Sequence, residues 1–191
     1  SACENDLICV SGDLGAAYMG LQLLNREKKI FLENPQIQPD LTGTDYIAER
    51  QLKPEARKDV IEALEKASIV PTSMIDISDG LASELFHICE ASETGCRVYE
   101  DRIPVDTETA QHAEEMGINP VVAALNGGED YELLFTVRQS DYEKISEIPN
   151  IHIIGHITAA SSGLALVDRS NHETPLKAQG WDGIRGASEP H

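Results

Sequence analysis

Two short runs constrain this chain more than anything else in it: Met74-Ile-Asp-Ile-Ser-Asp-Gly-Leu81 and Asn126-Gly-Gly-Glu-Asp-Tyr-Glu-Leu-Leu-Phe135. Each sets carboxylates and glycines directly against an apolar stretch of the kind that builds a core. In the first, Ile75 and Ile77 point one way along a strand, and Met74, Asp76 and Ser78 point the other. A carboxylate cluster at a glycine turn is uncomfortable unless something positive sits there. At about 5 Å two carboxylates repel by roughly 1 kcal/mol in water and by several at the effective dielectric of a protein surface. A divalent cation removes that penalty, and Mg2+ is usually held by one or two carboxylates together with substrate phosphates.

The rest of the chain alternates strand-like and helix-like segments. Leu7 to Val10 reads as a buried strand, and Ser11-Gly-Asp-Leu-Gly15 as a turn into a helix carrying Leu14, Ala17, Met19, Leu21 and Leu24. Residues 33–44 hold prolines and turn formers and read as a loop. Helices are expected over Thr44 to Gln51 and Glu55 to Ala67, the second opened by Pro54. Thr72 to Ile77 is a strand, and Leu81 to Ala91 a helix with Leu81, Leu85, Ile88 and Cys89 on one stripe. A short strand around Val98 precedes helices over Thr107 to Met116 and Pro120 to Leu125. Tyr131 to Val137 is the clearest strand, followed by a helix over Asp141 to Glu147. Strands Ile151 to Ile157 and Leu164 to Val167 flank a Ser-Ser-Gly turn, and 169–191 reads as a polar, loop-like tail containing the lone Trp181. This alternation predicts a single α/β layered sandwich, with the closing strand pair making its sheet mixed rather than purely parallel.

Bulk properties narrow the partners. A formal charge of −18 over 191 residues leaves no Lys/Arg cluster to neutralise a DNA or RNA backbone. A phosphate ligand must therefore arrive with metal or be held by backbone amides. Cys3, Cys9, Cys89 and Cys96 show no Cys-x-x-Cys spacing, so neither zinc nor a redox pair is indicated. No signal peptide or membrane-spanning apolar run is seen, which makes the cytoplasm the expected compartment. The chain opens Ser1-Ala2 without a Met, which reads as a cloning remnant on an excised piece of something longer.

The strand-to-helix turn at Asp76-x-Ser78-Asp79-Gly80 lies where α/β folds bind ligands. Two carboxylates and a hydroxyl there suit one metal–phosphate unit. The competing reading makes Ser78 or Asp79 an N-cap, with Asp79 complementing the helix dipole, but that leaves Asp76 on an apolar strand unexplained. Gly127-Gly-Glu-Asp130 allows close backbone approach, but local physics alone favours a plain turn with exposed acids. Ser11-Gly-Asp-Leu-Gly15 is a glycine-flanked helix start that suits an anion, yet it is no Walker A loop, and locally it reads as a structural turn first. The histidines are scattered, and no nucleophile–base order stands out.

Taken together and in order, Leu7-Ile-Cys-Val-Ser-Gly-Asp-Leu-Gly15 with Gly20-Leu21, Leu52-Lys-Pro-Glu-Ala-Arg57, Ile75-Asp-Ile-Ser-Asp-Gly-Leu81, Gly127-Gly-Glu-Asp-Tyr-Glu-Leu-Leu-Phe135, Ile154-Gly155 and Gly180-Trp-Asp182 resemble the thiamine-monophosphate kinases. The resemblance implies the fold of the C-terminal domain of the aminoimidazole-ribonucleotide-synthetase-like superfamily. It implies an enzyme that converts thiamine phosphate and ATP to thiamine diphosphate and ADP with Mg2+. It further implies that residues 1–191 correspond to one domain of a two-domain kinase, inactive alone. The N-terminal domain, with most of the nucleotide pocket and the homodimer interface, would be its partner. Carried over by motif, Asp76 and Asp79 would bind Mg2+, Ser78 would contact ATP, Glu129 would contact thiamine phosphate, and Trp181 would flank its ring. Where the family often continues the last motif with His-Phe, this chain has Gly183-Ile184. The alternatives are another ATP-dependent member of the superfamily (aminoimidazole ribonucleotide synthetase, selenophosphate synthetase or the hydrogenase maturation factor) and a non-catalytic binding module.

Overall fold

The apolar runs enter one sheet, and its ends gather the acidic turns. The computed structural model describes residues 1–177. Its strands are β1 (Leu7–Ser11), β2 (Ser73–Asp76), β3 (Thr94–Tyr99), β4 (Leu133–Val137), β5 (Ile151–Ala159), β6 (Leu164–Val167) and β7 (Glu173–Pro175). Its α-helices are α1 (Ala16–Glu33), α2 (Asp45–Leu52), α3 (Lys58–Lys66), α4 (Leu81–Ser92), α5 (Thr107–Glu115), α6 (Pro120–Asn126) and α7 (Tyr142–Ser146). The seven strands lie in the order β2-β4-β1-β5-β3-β6-β7. The sheet is mixed, as expected: β3 and β6 run parallel, and every other neighbouring pair is antiparallel.

The two closing strands do not form a pair. β3 lies between them, pairing antiparallel with β5 and parallel with β6. The tail is not all loop either, since β7 pairs with β6 and Leu176 is buried. Both corrections concern long-range pairing, which local periodicity does not encode.

Strand alternation sorts side chains onto two faces. Ile8, Val10, Leu134 and Ile77 join Leu81, Leu85 and Ile88 of α4 in one core. Cys9, Phe135, Val137 and Met74 join Val60 and Leu64 of α3 and Ile145 of α7 on the opposite face. Ile154 and Ile157, three residues apart, share the first face because β5 shifts register against β1 between Ile8 and Cys9. A third cluster joins Met19 and Leu23 of α1, Ile47 of α2, Ala113 of α5 and Ala123 of α6. The buried stripe of α1 is Met19, Gly20, Leu23 and Glu27, whereas Leu21, expected inside, is 37% exposed. Helix α3 begins at Lys58, later than expected, because Arg57 leaves helical geometry (ψ 56). Among the described residues no helix is long and apolar enough to cross a membrane.

Candidate functional site

The two acidic runs meet at one end of the sheet and are hydrogen-bonded to each other. β2 ends at Asp76, paired with Leu133 of β4. Beyond it the ladder continues through the turns: the Ile77 amide donates to the Glu132 carbonyl (2.8 Å), the Tyr131 amide to the Ile77 carbonyl (2.9 Å), and the Glu129 amide to the Ser78 carbonyl (2.7 Å). Glycine makes this approach possible. A Cβ on Gly128 would sit 2.5 Å from the Ser78 carbonyl oxygen, and one on Gly80 would sit 2.8 Å from that of Leu125. Both glycines have positive φ (66 and 115).

Neither Ser78 nor Asp79 caps α4. The N-cap position is Gly80, and it makes no side-chain cap bond. Instead Glu84 of α4 reaches back, its buried carboxylate accepting from the Asp79 amide (2.8 Å) and the Ser78 amide (3.2 Å). With the capping role removed, Asp76 and Asp79 are exposed at the lip, and Ser78 beside them is half-buried. Glu129 is exposed and accepts a hydrogen bond from the Tyr131 hydroxyl (3.2 Å). That bond, the Glu129 charge, and the charges of Asp76 and Asp79 hold the Tyr131 hydroxyl above its ordinary pKa. Four of the five site residues expected from sequence are thus brought together. Trp181, the fifth, lies outside the described residues. Among the described residues no three His, Cys, Asp or Glu side chains form a metal-holding group; Asp76 and Asp79 by themselves present two exposed carboxylates.

Sequence reasoning missed the inner half of the second run. Asp130, 2% exposed, accepts from the Gly15 amide (2.8 Å) and the Ala17 amide (3.3 Å) at the start of α1. The glycine-flanked turn that suited an anion therefore binds the protein's own carboxylate. Burial pushes the Asp130 carboxyl up to about 7, opposed by those two amides and by Arg50. Glu132, 1% exposed, is held by Arg50 (2.9 Å), Arg57 and the Ser11 hydroxyl. Arg50 also donates to the Asp13 carbonyl (2.9 Å), and Arg57 pairs with Asp59 (2.9 Å). Burial likewise pushes the Asp13 carboxyl up, opposed by the Tyr46 hydroxyl and by Arg50. The available signal was the alternation Glu129-Asp130-Tyr131-Glu132 just before a strand. It puts one pair of side chains outside and the other inside. A cleft of about 370 Å³ borders Arg50, Lys53 and Arg57. Those cations are already paired with Glu132, Glu49 and Asp59, so among the described residues they bring it no spare positive charge.

Known proteins share the sequence pattern and the fold. The family model for the AIR synthase related protein, C-terminal domain, matches residues 6–167. The thiamine-monophosphate kinase of Pyrococcus abyssi is 33% identical over 187 residues, covering 97% of this chain and 52% of its own length. That of Escherichia coli K12 is 32% identical over 188 residues, covering 95% and 53%. Among solved structures, AaThiL complexed with AMPPCP and TMP superposes with a TM-score of 0.71 at 28% identity, covering 94% of this chain and 52% of that one. The hydrogenase maturation protein HypE of E. coli, at 16% identity and a TM-score of 0.69 over 97% of this chain and 53% of its own, shares the fold alone. The chain spans about half the length of the curated relatives it matches. Its mixed seven-stranded sheet and the match over residues 6–167 place it beyond local motif similarity: the chain belongs to the AIR synthase related family, as a C-terminal domain.

Proposed function

We propose that this chain is the C-terminal part of an ATP- and Mg2+-dependent kinase that converts thiamine phosphate to thiamine diphosphate. One observation carries the reading. The Glu129 amide is bonded to the Ser78 carbonyl at 2.7 Å, so the nucleotide-side and acceptor-side motifs form a single lip. The fold match to AaThiL complexed with AMPPCP, an ATP analogue, and TMP, which covers 94% of the chain, supports the same reading.

Phosphoryl transfer demands positioning and charge neutralisation more than a side-chain nucleophile. Asp76 and Asp79 are the residues that would hold Mg2+, which when bound neutralises phosphate oxygens. Two exposed carboxylates suit an ion that keeps several waters and shares its shell with substrate phosphates. The Ser78 hydroxyl, with only a 3.5 Å contact to Glu84, is available to a nucleotide phosphate. Glu129 offers its charge to a cationic thiazolium, and Trp181 would flank that ring. The acidic surface suits such an acceptor and disfavours nucleic acid.

The N-terminal domain of a full-length protein would complete the site and the homodimer, in a soluble cytoplasmic enzyme. Residues 1–191 alone should form no thiamine diphosphate. The test is product formation by the full-length protein from ATP, Mg2+ and thiamine phosphate, read by thiochrome fluorescence after separation. Thiamine diphosphate should appear, and Asp76→Asn should abolish most of it. ATP consumption with other superfamily substrates but none with thiamine phosphate would overturn the proposal.

A further inference from the structure

The loop that carries Glu129 adopts a backbone that is costly for its residues. Gly128, Glu129 and Tyr131 have φ of 66, 63 and 51. For glycine this is free, but for Glu and Tyr it is a left-handed conformation that persists only when the surroundings enforce it. Two inward carboxylates do so here. Asp130 ties the middle of the loop to the first turn of α1 through the Gly15 and Ala17 amides. Glu132 ties its end to Arg50 of α2 and to Arg57 just before α3. The outward pair, Glu129 and Tyr131, is thereby presented as a hydrogen-bonded carboxylate and phenol on the side of Asp76 and Asp79.

We propose that Asp130 and Glu132 are positioning residues for the acceptor substrate. By anchoring the strained loop from inside, they aim Glu129 and Tyr131 at a cationic ring, a role that rests on the kinase reading above. The opposite wall of the lip has a separate brace, Glu84 on the Ser78 and Asp79 amides. The two walls should therefore respond to different substitutions.

The experiment compares full-length wild type, Asp130→Asn, the charge-balanced pair Glu132→Gln with Arg50→Gln, and Glu84→Gln. Asp130→Asn and the double variant should raise KM for thiamine phosphate about tenfold or more while moving KM for MgATP less than about twofold. Glu84→Gln should show the reverse split. A role confined to stability would lower the melting temperature and leave both KM values unchanged, which overturns the proposal, as do equal rises in the two. If the double variant shows no cooperative melting, Asp130→Asn alone decides. Amide exchange at Glu129 and Tyr131 is a readout independent of turnover. Asp130→Asn should accelerate it about tenfold or more as the loop loses its anchor. Unchanged exchange overturns the anchoring even if the protein proves to use another acceptor. Accelerated exchange in an enzyme that ignores thiamine phosphate refutes the kinase reading and with it the role in acceptor binding.

Discussion

Gly128→Ala is the sharpest test of the contact that joins the two acidic runs. Its added Cβ would meet the Ser78 carbonyl oxygen at 2.5 Å and the Asp79 carbonyl carbon and Cα at 3.1 and 3.2 Å. All three are backbone atoms and no rotamer change relieves them. They are also tethered, since the Ser78 carbonyl accepts from Glu129 and the Ser78 and Asp79 amides donate to Glu84. The left-handed φ costs an L-residue about 1 kcal/mol, overpacking adds about 1–3 kcal/mol, and a lost hydrogen bond about 1 kcal/mol. At the low end these sum to about 3 kcal/mol. Gly117→Ala isolates the first contribution: its φ is 68 at the end of α5, yet nothing lies within 4 Å of its Cβ, so it should cost about 1 kcal/mol. With a urea m-value of about 2 kcal/mol/M for a chain of this size, the two midpoints should differ by about 1 M. Urea unfolding of residues 1–191 followed by far-ultraviolet circular dichroism measures this directly. Coincident midpoints for the two variants would refute the claim that close backbone packing at Gly128 holds the lip together.

Cys3 is exposed while Cys9, Cys89 and Cys96 are buried, and burial pushes the Cys9 thiol up to about 12. A thiol reagent should therefore label Cys3 alone in the native chain and all four cysteines after unfolding. Leu85, fully buried under the sheet, should cost about 2–5 kcal/mol as Leu85→Ala, read by thermal and urea unfolding. Asp130 rises from 3.8 unfolded to about 7 folded. Below pH 4 it is protonated in both states; between about 4 and 7 only the unfolded chain releases the proton, so its contribution to stability falls as pH rises and is constant above that window. Stability of wild type relative to Asp130→Asn should therefore decline from pH 4 to 7. A flat difference would show that Asp130 is ionised throughout.

Much of the fold was readable because periodicity reports burial. The 2-residue alternation of β4 and the helical stripe of α4 put Phe135, Leu81 and Leu85 in the core where expected. Where the chain departs from its pattern, a residue elsewhere is the cause. Arg57 was expected within a helix, but its guanidinium bridges Glu132 and Asp59 and the helix starts one residue later. Tyr131 was expected to open β4, but its φ of 51 turns it out of the strand, which begins at Leu133. Leu164–Val167 was expected to pair with the strand before it, but β3 takes that edge.

The sequence alone determined which residues are acidic, which lie beside glycine, and which apolar runs must be covered. Those are local properties, set by side-chain chemistry and spacing. Only the tertiary structure decided which acids face out and which face in. Asp130 and Glu132 are as acidic as Asp76 and Glu129, but they are buried because the start of α1 and two arginines from a distant segment satisfy them. Burying a carboxylate is costly unless donors are already in place, and those donors are brought near only when the chain is folded.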